Sequence, residues 1–435
     1  MVWSPEAERD ASMLQRGALV VALTGWYLFA LTGPFSTTGV DFALLLILVG
    51  SLPMLPRIWN DLRREPVFWA AVALTAYLAV QITIKVGAHP ELDEMRNPHW
   101  SHWFRVAGLW SLLLGWWLYR CPRHVGPLLV TMVAGLLLGI FADGNLERIF
   151  SGELWHRHVW GYSPNYLGMV SGMGVLAILA WVALEKHGNL KWWEWCATGP
   201  VFLLLALLLY SSASRSAWLA FPLGVLPLLA YAAYSTGRIS TWRAIPAAFL
   251  LLAGAGTALY LANPGYLAGR MTPIWDVLVM LVSLDLEGAA AARGSLGLRV
   301  EMWLAGVQAF LQEPWFGWGP GSGYLVIWPD DFTDASFRHF HNLYVEILVS
   351  FGLVGALLFL ATHFFIYSRS IKAMWHGAIS PAMSIGLAGI TLFLLAKLFS
   401  EIRIGQTEGR ALLTAIYAFH AYLMFRYSTM RDERN

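Results

Sequence analysis

Residues 337–355 read FRHFHNLYVEILVSFGLVG, and this stretch changes from polar to apolar within a few residues. It opens with an arginine, two histidines and an asparagine, and then continues into the apolar run ALLFLATHFF. Comparable runs recur along the chain, among them FALLLILVG and VFLLLALLLY. Each extends to the roughly 20 residues that a bilayer-spanning helix needs. The pattern therefore predicts an all-α polytopic membrane protein.

The composition favours a membrane protein over a soluble domain with a single anchor. Of the 435 residues, 57% are hydrophobic and only 13% are charged, whereas a soluble domain has about 25% charged residues. The formal net charge of +2 points to no particular partner, and no nucleic acid is expected to bind. The first apolar run has no small-residue cleavage site after it, so we interpret it as a retained span.

Hydropathy predicts about twelve transmembrane helices, with both termini on the same side of the membrane. Residues 1–262 are expected to hold spans one to nine, and residues 263–341 to form one large, partly helical loop. Residues 342–435 are expected to hold spans ten to twelve and a short tail. The predicted spans are 17–34, 39–56, 67–85, 104–119, 125–142, 165–185, 196–212, 217–234, 245–262, 342–367, 378–400 and 410–426.

The distribution of basic residues orients these spans. Short loops on the side of the two termini, together with the N-terminal arm and the tail, hold roughly sixteen Lys and Arg, and the opposite side holds roughly nine. The positive-inside rule then places the termini in the cytoplasm. The large loop lies on the other side. It contains LRVEMWLAGVQAFLQ, an amphipathic helix stopped by Pro314, and the turn-rich stretch PWFGWGPGSGY.

Four arginines are predicted on the non-cytoplasmic side, and membrane burial does not explain them. They are Arg157, Arg215, Arg299 and Arg338. A guanidinium group binds phosphate oxygens in pairs, so four of them in one pocket would suit a lipid pyrophosphate. The alternative is that an arginine at a helix end extends to the lipid headgroups, and it stays open for Arg157 and Arg338.

His341 is the candidate general base. It precedes Asn342 at the start of a span, and an imidazole can accept a proton from a sugar hydroxyl near neutral pH. His339 either orients a partner or faces solvent. Glu346 is the clearest carboxylate within a span, and the scarcity of such groups disfavours an ion-coupled carrier. The acidic stretch at 329–334 matches no specific metal-binding loop, so we predict no metal and no other cofactor.

Four stretches make the chain resemble the O-antigen ligase and polymerase superfamily of bacterial envelopes. An arginine-to-tryptophan step, the FGWGPGSG turn, a His-Asn pair and a following Gly-x-x-Gly occur in the family's order and spacing. The resemblance implies a GT-C-like glycosyltransferase with about twelve spans and a large periplasmic loop. The four stretches are GYSPNYLG at 161–168, SSASRSAWL at 211–219, LRVEMWLAGVQAFLQEPWFGWGPGSG at 298–323 and HFHNLYVEILVSFGLVG at 339–355.

The resemblance also implies an activity and its substrates. Such enzymes lie in the bacterial inner membrane and move a glycan from undecaprenyl pyrophosphate to an acceptor hydroxyl. In the ligase the acceptor is the sugar core of lipid A, and the product is lipopolysaccharide. O-antigen polymerases often have two large loops, and protein O-oligosaccharyltransferases typically have a longer C-terminal part. One large loop and a short tail therefore favour the ligase, and both relatives stay open as alternatives.

The expected reaction is an inverting, metal-independent glycosyl transfer. His341 would be the general base, and Arg215 and Arg299 would hold the pyrophosphate. Retention would need a carboxylate pair that the candidate site does not offer. Two readings without catalysis are a transporter of lipid-linked glycans and a structural membrane subunit. The remaining candidates for binding pyrophosphate or glycan are Arg157, Arg338, His339, Asn165 and Asn342.

Overall fold

The protein is described by a computed structural model. In the part of the chain that it describes, every regular element is a helix. The described residues are 12–88, 101–145, 147, 160–182, 191–235, 275, 277, 279–292, 295–321, 323, 326, 339–400 and 407–432.

The α-helices are numbered here in chain order, and two short 3₁₀ turns at Leu52–Met54 and Pro122–His124 connect neighbours. The first nine helices are α1 Met13–Thr32, α2 Thr37–Ser51, α3 Leu55–Leu62, α4 Pro66–Ala88, α5 Ser101–Val106, α6 Leu109–Arg120, α7 Val125–Asp143, α8 Pro164–Ala180 and α9 Trp192–Ser211. The others are α10 Arg215–Ser235, α11 Leu286–Ala291, α12 Ser295–Gln312, α13 Leu343–Trp375, α14 Pro381–Leu398 and α15 Thr407–Asp432.

The predicted all-α, multi-pass fold is confirmed. Eleven of the twelve predicted spans coincide with helices, and the ninth, at 245–262, lies outside the described residues. The shorter apolar helix Pro164–Ala180 covers the sixth predicted span. Seven described segments are long and apolar enough to cross a membrane: Met13–Thr32, Thr37–Leu62, Pro66–Lys85, Pro122–Ala142, Trp192–Ser211, Leu343–Trp375 and Pro381–Leu398.

Three of the predicted spans differ clearly from the helices that the structure shows. The fourth predicted span is split between α5 and α6, because Gly108 has a left-handed backbone with a φ of 104°. Helix α13 has 33 residues, including a break at Gly352, and it continues to Trp375. Most of the loop predicted after residue 367 is therefore helical. The predicted tail likewise continues α15 to Asp432.

Small residues allow several helices to approach each other closely. A Cβ added to Gly115 of α6 would lie 2.5 Å from the Cβ of Ala421 in α15. A Cβ added to Gly389 of α14 would lie 2.3 Å from the carbonyl oxygen of Gly224 in α10. Helices within a membrane gain little from the hydrophobic effect and pack through such close contacts. The second of these pairs fixes α10 against α14, and both helices carry residues of the candidate site.

Candidate active site

Helix α13 is interrupted nine residues after its start. Gly352 has φ 63° and ψ −167°, so the regular hydrogen-bond ladder stops there. The freed carbonyl oxygens of Val349 and Ser350 accept hydrogen bonds from the backbone N–H groups of Trp318 and Gly319, at 2.8 and 2.9 Å. Irregular backbone at membrane depth must be satisfied by protein or water. The glycine-rich turn after α12 supplies these partners.

The second half of α13 is bound to the same turn. The N–H of Leu353 donates to the carbonyl oxygen of Pro314 at 2.7 Å, and the N–H of Val354 donates to that of Trp315 at 3.2 Å. The hydroxyl of Tyr77 in α4 donates to the carbonyl oxygen of Phe351 at 2.6 Å. The turn and the broken helix therefore form one hydrogen-bonded unit. The stretch that the sequence marks as rich in turns is thus bound to the helix that follows His341.

Two side chains hold the backbone at Phe340, just before the start of α13. The indole Nε1 of Trp303 in α12 donates to the Phe340 carbonyl oxygen at 2.9 Å. The Phe340 N–H donates to Oε2 of Glu346 in α13 at 3.3 Å. The Phe340 ring is fully buried and lies over Gly306, where a Cβ would come within 3.0 Å of the ring. We call Phe340, Trp303 and Glu346 together the Phe340 clamp.

The clamp sets the backbone of His341, the candidate base. His341 has a φ of 50°, a left-handed conformation that is uncommon for a residue with a side chain. Its ring makes an edge-on contact with the ring of His339, with centroids 4.2 Å apart. Such strained positions persist where the surrounding structure determines them, and they cluster at functional sites. The two histidines are thus brought together directly before the first residue of α13, a place that we call the lip of α13. His341 is partly accessible.

Asn342 is the N-cap of α13. Its Oδ1 accepts hydrogen bonds from the N–H groups of Tyr344 and Val345, at 3.0 and 3.2 Å. These are first-turn N–H groups that have no partner within a helix, and a capping asparagine satisfies them. The Asn342 side chain is 95% buried, with 5% of its surface exposed. The structure thus shows Asn342 holding backbone N–H groups, and its role in binding pyrophosphate or glycan stays a prediction.

Arg215 is the first residue of α10, directly after the turn from α9, and both of its neighbours are bonded to other helices. The Ser214 hydroxyl donates to Oδ1 of Asn165 in α8 at 2.9 Å. The Ser216 hydroxyl accepts a hydrogen bond from Nζ of Lys397 in α14 at 2.5 Å. Arg215 itself is half-buried at the first position of α10. The turn that carries this arginine is therefore held from two sides.

These contacts place Asn165, Arg215 and His341 at one end of the helix bundle. The start of α8 meets the start of α10 through Asn165, and the start of α10 meets the end of α14 through Lys397. The hydroxyl of Tyr344, at the start of α13, donates to the carbonyl oxygen of Leu395 near the end of α14, at 3.0 Å. The elements that carry Arg215 and His341 are thus linked through α14.

Helix α12 joins the same end through the Trp303 indole. Arg299 lies on α12 four residues before Trp303, about 6 Å along the helix axis at 1.5 Å per residue, and it is half-buried. A shared pocket for Arg215, Arg299 and His341 remains a prediction that this arrangement of helices favours. Arg157 and Arg338, the other two predicted arginines, lie outside the described residues.

Two buried ionisable residues at this end of the bundle were not predicted as site residues from the sequence. Glu346 was noted only as an unusual carboxylate, and Lys397 near the end of α14 resembles any lysine that extends from a helix end to the headgroups. Lys397 is 0% exposed and Glu346 is 6% exposed. Within the described ranges, no group of three or more His, Cys, Asp or Glu residues is arranged to hold a metal ion.

The fold defines the class of protein: an all-helical, multi-pass membrane protein with a polar cluster at one end of its bundle. Residues 200–360 match the model of the O-antigen ligase family. This match agrees with the resemblance seen in the sequence, and over these residues the chain is similar to the O-antigen ligase family. No curated protein matches the chain.

The matched region contains Arg215, Arg299 and His341, and it ends before Lys397. The family indicates a glycosyltransferase-like enzyme of the ligase and polymerase group, with lipid-linked glycans as substrates. Asn165 and Arg157 precede the matched region. The link between Asn165 and the Arg215 turn is therefore a feature of the tertiary structure that the family match does not cover.

Proposed function

We propose that the protein is an O-antigen ligase. It would transfer a glycan from undecaprenyl pyrophosphate to a sugar hydroxyl of lipid A-core, in the bacterial inner membrane and on its periplasmic side. The observation that carries the proposal is the Phe340 clamp, which holds His341 at the helix lip. The Tyr344–Leu395 and Lys397–Ser216 contacts link this lip to the turn of Arg215. A base and a phosphate-binding cation at one end of the bundle are what the reaction requires.

The proposed chemistry is a single displacement. The acceptor oxygen attacks the anomeric carbon of the first glycan sugar, and the acceptor's proton passes to the imidazole of His341. The bond from that carbon to the pyrophosphate oxygen breaks, and its electron pair leaves with undecaprenyl pyrophosphate. One attack on the face opposite the leaving group inverts the anomeric configuration. Transfer of the proton to a general base typically contributes 10²–10⁴-fold to the rate.

The arginines would stabilise the leaving group. Arg215 and Arg299 are proposed to bind the pyrophosphate oxygens, whose charge grows as the glycosidic bond breaks. Arg157 and Arg338 would complete this site or bind phosphates of the lipid A-core. Guanidinium groups neutralise this charge without a metal ion, so we expect the transfer to be metal-independent. Both substrates would reach the site laterally from the membrane.

The test is a transfer assay in detergent with a chelator present. Purified protein, undecaprenyl-pyrophosphate-linked glycan and lipid A-core are combined, and His341→Ala is compared with wild type. The control is His376→Ala, because His376 is exposed at the far end of α13. We expect wild type and His376→Ala to convert lipid A-core to a product that migrates more slowly on a gel. In His341→Ala the rate of this conversion should fall by at least 10²-fold.

Each other outcome points to a different function. A longer glycan still attached to undecaprenyl pyrophosphate would identify a polymerase, and a glycosylated protein acceptor would identify a protein O-oligosaccharyltransferase. Movement of the lipid-linked glycan between leaflets, with its glycosidic bond intact, would identify a transporter. Transfer to lipid A-core at an unchanged rate in His341→Ala would refute the role of His341 as the base.

A further inference from the structure

Lys397 is a buried cation that has no chemical role in the proposed reaction. It is the second-last residue of α14 and is 0% exposed. A lysine at the end of a transmembrane helix ordinarily extends its ammonium group to the headgroups, where the charge stays hydrated. The Lys397 ammonium instead points into the protein and donates to the Ser216 hydroxyl at 2.5 Å. Burial of a charge is costly unless the charged group is hydrogen-bonded.

The ammonium acts on the turn that carries Arg215. Ser216 follows Arg215 directly, and the α-carbons of consecutive residues are 3.8 Å apart. On the other side of Arg215, the Ser214 hydroxyl is bonded to Asn165 and lies 3.4 Å from the Ser216 hydroxyl. Lys397, Ser216, Ser214 and Asn165 thus form one chain of polar contacts across α14, α10 and α8. Arg215 lies between Ser214 and Ser216, two members of this series of contacts.

We infer that Lys397 is a positioning residue for Arg215 and thereby sets the affinity of the site for the pyrophosphate of the lipid donor. This inference rests on the proposed function, because it takes a pyrophosphate as the ligand of Arg215. A planar guanidinium binds phosphate oxygens in pairs only when its orientation is held. A fixed Ser216 restricts the backbone at the start of α10 and hence the direction of the Arg215 side chain.

The charge of Lys397 adds to this effect. A hydrogen bond from an ammonium group is stronger than one from a neutral donor, so the Ser216 hydroxyl is held more firmly than a neutral side chain would hold it. In surroundings of low dielectric, a nearby positive charge also favours an anionic ligand. A residue with a purely structural role would affect the stability of the bundle. Lys397 should in addition affect binding of the donor and leave binding of the acceptor unchanged.

The experiment uses two measurements on the full-length protein in detergent. The first is binding of undecaprenyl pyrophosphate without glycan, followed by the shift in thermal unfolding temperature across a ligand titration. The second is the transfer assay, with KM determined separately for donor and acceptor. The variants are Lys397→Met, Ser216→Ala and the double variant. The control is Lys372→Met, which removes an exposed lysine near the end of α13.

We expect Lys397→Met to weaken undecaprenyl pyrophosphate binding and to raise donor KM by at least tenfold, with acceptor KM unchanged. Ser216→Ala should show the same selectivity. The double variant should be no worse than Lys397→Met, since the two residues act through one contact and such effects are not additive. Lys372→Met should behave as wild type. If Lys397→Met does not fold, the selectivity of Ser216→Ala for the donor still tests the inference.

The outcomes separate this inference from the proposed function. Unchanged donor affinity in Lys397→Met and Ser216→Ala, with wild-type transfer to lipid A-core intact, would refute the inference and leave the ligase standing. Equal losses of donor and acceptor affinity would also refute it. If Lys397→Met binds undecaprenyl pyrophosphate tenfold more weakly than wild type, but wild type does not glycosylate lipid A-core, the inference is supported and the ligase is refuted.

Discussion

Replacing Gly352 by alanine tests whether the glycine-rich turn and the broken helix form one unit. An alanine would have to adopt the φ of 63° and the ψ of −167° that Gly352 has, a conformation that is essentially restricted to glycine and costs other residues about 1–3 kcal/mol. The new Cβ would also lie 2.4 Å from the carbonyl carbon and oxygen of Trp315. Overpacking of this kind costs about 1–3 kcal/mol. The two effects together predict a loss of about 2–6 kcal/mol in the free energy of unfolding.

Gly377→Ala is the matched control. Gly377 has a φ of 77°, and no atom within 4 Å would meet its Cβ, so this variant has the cost of a positive φ without the overpacking. Both variants are unfolded by SDS titration in mixed micelles and followed by circular dichroism. We expect Gly352→Ala to lose about 1–3 kcal/mol more than Gly377→Ala. Equal losses would refute the idea that contact with the turn is what requires glycine at position 352.

Two further predictions concern the lip of α13. Glu346→Ala removes the acceptor of the Phe340 N–H and should lower the free energy of unfolding by about 1–3 kcal/mol and reduce transfer, whereas Glu346→Gln keeps an acceptor oxygen and should retain most of both. Equal loss of transfer in the two variants would contradict a role limited to holding the backbone. Asn342→Ala removes the α13 cap and should cost about 0.5–2 kcal/mol. Ser380→Ala removes the α14 cap, in which Ser380 Oγ accepts from Met383 N at 3.3 Å. It should cost a similar amount and leave transfer unchanged, whereas Asn342→Ala should reduce transfer.

The polar residues of the sequence pointed to part of this candidate site, and there is a physical reason why each residue was or was not recognisable. Arg215 and His341 were recognisable because a charged group beside a transmembrane helix needs a functional or interfacial explanation. Glu346 was visible for the same reason, but its partner is a backbone N–H, which a sequence does not show. Lys397 was not recognisable, because a lysine that extends to the headgroups and one that is buried among helices have the same place in the chain.

The glycine-rich turn shows the same limit. Its four glycines predicted turns, and a glycine also allows another backbone to approach closely, as at Gly317, where a Cβ would lie 2.5 Å from the carbonyl oxygen of Val349. The sequence did not indicate that this partner is a broken transmembrane helix. The break itself was also hidden, because Gly352 lies within an apolar run that hydropathy reads as continuous.

The sequence by itself determined that the chain is a helical, multi-pass membrane protein, since hydropathy over 20 residues depends on composition alone. It also determined the family resemblance, since that lies in motifs along the chain. Only the tertiary structure decided which helix ends meet, that Phe340 is clamped between Trp303 and Glu346, and that Lys397 holds the turn of Arg215. These contacts join residues up to 181 positions apart. They depend on how helices pack, and helix packing follows from the shapes of side chains that meet only in the folded protein.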